Sequence, residues 1–129
     1  DQQKYDESIQ YYDKALAIDP TYIYALNNKG DVFYVQQRYD EAIQYYDKAL
    51  TIDPSLVSAL NNKALVLADL KRYDEALQYY DKVLDIDPTY VDAIIGKGAA
   101  LESLKRYDEA SDIFTDHFLH WTVCAALRC

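Results

Sequence analysis

Three groups of residues in this chain have types and spacings that could carry chemistry. His117, His120 and Cys124 stand at i, i+3 and i+7, which on a helix would put two imidazoles and a thiol on one face, as a metal would need. A structural zinc site takes four ligands and no fourth is in view, so the expectation is no metal. Gly96-Lys97-Gly98 has the flavour of a phosphate-cradling loop. The glycine four residues further upstream is missing, however, and no strand precedes it. The third group is the adjacent pair Asn27-Asn28, which returns as Asn61-Asn62. Asparagine is a mediocre helix former, so two neighbours recurring within helical runs need a reason. A side-chain amide can donate to and accept from a peptide backbone whatever the peptide's sequence, and pairs as readily with water or a neighbouring helix. No catalytic constellation is present. The chain is read as a non-enzyme with no cofactor.

The elements that must position these residues announce themselves by repetition. The phrase Tyr-Asp-Glu-Ala/Ser starts at Tyr5, Tyr39, Tyr73 and Tyr107, each 34 residues after the last. A period of about 20–50 residues marks stacked supersecondary units. Tyr39, Ala42, Ile43, Tyr46, Ala49 and Leu50 fall at three- and four-residue spacing, one face of a helix. Pro20, Pro54 and Pro88 end each such helix, because the residue before proline is pushed out of the α region. A second helical run follows each proline, over about 22–36, 56–70 and 90–104. Gly30, Ala64 and Gly98 occupy equivalent places in it, where a small side chain allows close helix approach. Lys71-Arg72 and Lys105-Arg106 are read as closing one helix, and Asp74-Glu75 and Asp108-Glu109 as opening the next, in accord with the helix dipole.

A 34-residue helical hairpin with these small, aromatic and proline positions resembles the tetratricopeptide repeat. The matches are Leu26, Gly30, Phe33, Ala42, Tyr46, Ala49 and Pro54 in one unit, and Leu60, Ala64, Leu67, Ala76, Tyr80, Val83 and Pro88 in the next. A third unit matches through Ile94, Gly98, Leu101, Ala110 and Phe114, then departs. The resemblance implies an all-α, right-handed superhelical solenoid of antiparallel hairpins with about seven helices. It divides into a half repeat at 1–22, full repeats at 23–56 and 57–90, a divergent repeat at 91–124 and a tail at 125–129. Lys29, Lys63 and Lys97 stand where the family often has leucine. They are expected to pack their stems while the ammonium reaches water.

The resemblance further implies a concave face, lined by the first helix of each unit, that binds an extended peptide or a partner's helix. Here that face would comprise Tyr24, Asn27, Asn28, Asp31 and Tyr34 from one unit, then Ser58, Asn61, Asn62, Leu65 and Asp69, then Asp92 and Ile95. Asn28 and Asn62 resemble an asparagine ladder that holds a peptide backbone, and the ladder breaks at Gly96. The family's clamp for chaperone carboxylate tails wants basic residues where this chain has Asn27, Asp92 and Gly96, and an asparagine where it has Asp31. Only Asn62 meets its pattern. Capture of such a tail is therefore not expected.

Composition narrows the partners. With 22 acidic against 13 basic residues the formal net charge is −9, which argues against nucleic acid. No segment is apolar for the roughly 20 residues of a membrane span and no basic-then-apolar leader is read, so neither a membrane partner nor secretion is expected. Two cysteines, both near the C-terminal end, make no disulfide framework, so a reducing, cytoplasmic setting is expected. The chain has no methionine and opens in mid-phrase, as a fragment would. After Ala110 the repeat phrase dissolves, and Phe114, Phe118 and Trp121 are candidates for contact with another copy. Two alternatives to peptide capture therefore stay open: self-assembly through the solenoid ends, and a non-catalytic regulatory arm of a larger protein.

Overall fold

The Asp-Pro steps set where helices stop. In the computed structural model, which describes residues 1–104, α1 (Gln2–Ile18), α3 (Tyr39–Ile52) and α5 (Tyr73–Ile86) each end one residue short of such an aspartate. Asp19, Asp53 and Asp87 are extended, with φ of −134°, −130° and −135°. The following proline ring excludes the helical alternative. Each aspartate then folds the turn. Oδ1 of Asp19 accepts from the Thr21 backbone N–H (3.0 Å) and hydroxyl (2.7 Å), and Asp53 with Ser55 and Asp87 with Thr89 repeat the pattern. These bonds hold the Asp19 and Asp87 carboxyls below their ordinary range.

The chain resumes as α2 (Ile23–Val35), α4 (Val57–Asp69) and α6 (Val91–Ser103), so six helices and no strand occur among the described residues. The expected seventh helix, with Phe114, Phe118 and Trp121, lies outside them. Within the hairpins α2/α3 and α4/α5 the turn is a tight left-handed cap. Gln37 and Lys71 take φ of 60° and 61°. The Arg38 and Arg72 amides reach back to the Phe33 and Leu67 carbonyls at 2.9 and 2.8 Å. That is the Schellman arrangement, here without its usual glycine. Lys71 and Arg72 therefore sit beyond the end of α4 rather than in its last turn. Arg72 instead grips Glu75 in the first turn of α5 at 2.9 and 2.7 Å, as Arg38 does Glu41.

Packing is continuous from hairpin to hairpin. One buried cluster joins Leu60, Ala64 and Leu67 of α4 to Ala76, Tyr80 and Val83 of α5 and to Ala93, Ala100 and Leu101 of α6. A second joins Phe33, Ala42 and Tyr46 to Val66 of the next unit. Small residues sit where helices come closest: Ala42, Ala49, Ala59, Ala64, Ala76 and Ala93 are all fully buried. At Gly30 a side-chain carbon would come within 2.6 Å of the Tyr46 ring, so the α2–α3 approach requires a glycine there.

The repeated lysines do not send their ammonium groups into water as the snorkelling expectation had it. Nζ of Lys29 donates to Asp13 of the preceding hairpin at 2.5 Å and to the Tyr45 hydroxyl of its own at 2.9 Å. Lys63 does the same with Asp47 (2.5 Å) and Tyr79 (2.8 Å), and Lys97 pairs with Asp81 at 2.6 Å. Burial pulls the Lys29 and Lys63 ammonium groups toward neutrality, but these bonds outweigh it and hold them charged above their ordinary range. Each lysine thus ties one unit to the next.

Candidate functional site

Two rows of helices follow from this stacking. The α2 backbone comes close to that of α4, and α4 to α6, whereas the backbones of α1, α3 and α5 stay further apart. The array therefore curves with α2, α4 and α6 on the inside. Along that row Tyr24, Asn28, Leu65, Asp69, Asp92 and Ile95 are exposed, and Asp31, Tyr34, Ser58 and Asn62 are half-buried. Asn27 and Asn61 are mostly buried instead, and the side-chain oxygen of each has no hydrogen-bond partner among the described residues. Neighbours on a helix point about 100° apart, so only one asparagine of each pair can face the groove squarely.

The groove residues are already bonded to one another across units. Asn62 Nδ2 donates to Asp31 Oδ1 at 2.9 Å, and the Tyr46 hydroxyl donates to the same oxygen at 2.6 Å. Burial pushes the Asp31 carboxyl above its ordinary range, against the Tyr46 bond that pulls it down. The Tyr34 hydroxyl donates to Asp69 Oδ2 at 2.7 Å, joining α2 to α4. Burial, and then Asp69, push Tyr34 up to about 12, so it stays a neutral donor. Sequence reasoning did not find the Asn62–Asp31 bond. The signal was available: residues 31 apart lie side by side once the 34-residue period is set against one helical turn.

Between α4 and α6 the surface opens into a cavity of about 570 Å³. Its walls include Leu65, Ala68, Tyr80, Ile95 and Gly96, with Asn61, Asn62, Asp69 and Asp92 among its polar groups. Among the described residues no lysine, arginine or histidine lines it. The basic residues of these helices, Lys29, Lys63 and Lys97, are committed to the aspartates of the outer row. Gly96-Lys97-Gly98 lies inside α6, with Gly98 buried, as part of the packing. No group of three His, Cys, Asp or Glu side chains able to hold a metal occurs among the described residues, and His117, His120 and Cys124 lie outside them. No described helix is long and apolar enough to cross a membrane.

Comparison with known proteins gives a consistent answer. Models of the tetratricopeptide repeat match residues 1–55, 21–88 and 67–117. The sequence has no match among curated proteins. Among solved structures, a tetratricopeptide repeat protein from Parabacteroides merdae superposes with a TM-score of 0.82 at 26% identity, over 94% of this chain and 47% of that one. The MamA protein superposes at 0.81 with 22% identity, over 95% of this chain and 67% of that one. The first repeat domain of Spaghetti (RPAP3), bound to the HSP90 peptide SRMEEVD, superposes at 0.76 with 23% identity, over 81% and 82%. This chain thus spans about half the length of the Parabacteroides protein.

Proposed function

The chain belongs to the tetratricopeptide repeat family, and on that premise we propose that it is a protein-interaction scaffold. Its inner row, α2, α4 and α6, takes a short extended peptide or a partner's helix. One observation carries the reading: large apolar side chains stay exposed along this row beside polar groups with unused capacity. Tyr24 is 61% exposed, Leu65 38% and Ile95 55%. A bound segment that covered them would gain about 25 cal/mol for each Å² of apolar surface removed from water. Asn62 uses one amide hydrogen on Asp31, which leaves its other hydrogen and its oxygen for a peptide backbone, and Asn28 is open to the same use.

The peptide-bound structural neighbour holds a ligand with two glutamates and an aspartate. The groove of this chain carries Asp31, Asp69 and Asp92, which disfavour such a guest, so its own ligand differs in charge. A random peptide library displayed on phage provides the test. Peptides selected on this protein should lose affinity about tenfold or more for the Leu65→Ala, Ile95→Ala double variant, because both side chains are exposed and their truncation spares the core. Unchanged affinity in a variant with an intact helical spectrum would refute groove capture.

A further inference from the structure

The two groove segments between neighbouring units are built from equivalent positions and end in opposite states, one filled and one open. Upstream, Tyr46 lies against Gly30, and beyond it Asp31 accepts from both the tyrosine hydroxyl and the Asn62 amide, so that Asp31 and Asn62 form a polar plug. Downstream, the residue equivalent to Gly30 is Ala64, and Tyr80 sits instead against the neighbouring unit. A side-chain carbon at Gly96 would come within 2.4 Å of the Tyr80 ring. The residues equivalent to Asn62 and Asp31 are Gly96 and Leu65, so the polar plug is missing. That exchange opens the cavity of about 570 Å³ between α4 and α6.

The charged groups of the open cavity among the described residues are all acidic, beside neutral hydroxyls and amides from Tyr73, Tyr80, Ser103, Asn61 and Asn62. Asp69 and Asp92 contribute carboxylates at its two ends, and among the described residues no basic side chain is in its walls. Asn61, which also lines it, is only 8% exposed, yet its side-chain oxygen has no partner among the described residues. A buried acceptor left unpaired carries the desolvation penalty of that group, so a donor entering here relieves an existing deficit. Leu65, Ile95 and the Tyr80 ring, with Ala68, Ala99 and Ala100, supply apolar wall. A guest that suits both kinds of surface has an apolar stem and a cationic head.

We propose that this cavity receives a lysine or arginine side chain of the bound peptide, its stem between Leu65, Ile95 and Tyr80 and its charge met by Asp92, at the end of the cavity that Asn61 lines. The proposal rests on the groove reading above and adds the residue that the groove selects. It predicts that phage selection enriches peptides with a basic residue at one fixed position. Replacing that residue by glutamine should weaken binding about tenfold in the wild type. The same replacement should have little effect in the Asp92→Asn variant, which removes that charge. A second variant, Ala64→Gly with Leu65→Asp and Gly96→Asn, transplants the upstream plug and should abolish the preference for a basic residue.

The outcomes separate the two readings. Peptides that depend on Leu65 and Ile95 but carry no fixed basic residue, or keep their affinity in the aspartate variant, overturn the pocket assignment and leave groove capture standing. Peptides indifferent to Leu65 and Ile95, or an empty selection, overturn both. Concentration-dependent self-association that disappears in the plugged variant would mean that a second copy fills the cavity, which also overturns the assignment.

Discussion

Lys63 shows how far a single side chain in this chain departs from its surroundings. Its ammonium is largely buried, while Asp47, its partner, remains half exposed. The two members of the pair should therefore respond unequally to removal. Lys63→Leu restores the residue type the family often uses and leaves Asp47 free to hydrate, so stability should stay within about 1 kcal/mol of wild type. Asp47→Ala leaves a mostly buried ammonium with only the Tyr79 hydroxyl, and should cost about 1–2 kcal/mol, discounted for the exposure of the aspartate. Urea unfolding of both variants checks the asymmetry; equal losses would count against it. The lysine was legible as an anomaly in sequence but its partners were not. Asp47 lies 16 residues before it and Tyr79 16 after, in different helices, and a helical wheel relates only residues of one helix. The partner of Asn62 was hidden for the same reason, since its bond to Asp31 crosses between units.

Among the elements, helix bodies were easier to read than helix ends. The proline stops were legible because proline acts on its immediate neighbour, and Asp19, Asp53 and Asp87 are extended where the Asp-Pro steps predict. The turns within hairpins were less so. Their left-handed residues are Gln37 and Lys71 rather than glycine, so the usual C-terminal signal is missing and Lys71-Arg72 read as the last turn of α4. A residue with a Cβ strains in that conformation by about 1 kcal/mol. Lys71→Gly should accordingly stabilise the protein by about 0.5–1 kcal/mol, seen as a higher urea midpoint with an unchanged slope. A loss of stability would mean that the Lys71 side chain contributes more than its backbone strain removes.

At the scale of the whole molecule, stacking decides which residues can meet a ligand. Closer backbone approach within the row α2, α4, α6 than within α1, α3, α5 bends the array so that the inner row lies on its concave side. Fold and repeat register were readable because a 34-residue period fixes the same packing positions several times over. The cavity between α4 and α6 was not, because it arises from a combined exchange at Ala64, Leu65 and Gly96 that shows only when ring positions are compared in space. Everything proposed for this chain depends on the inner row, and not the outer row, being where it binds. Amide chemical-shift mapping of isotope-labelled protein with a phage-selected peptide decides between the two rows. The largest shifts should fall on α2, α4 and α6, around Asn28, Asn62, Leu65 and Ile95, with α3 and the outer side of α5 little changed. Shifts concentrated on α3 and α5, with the inner row unmoved, would refute binding there.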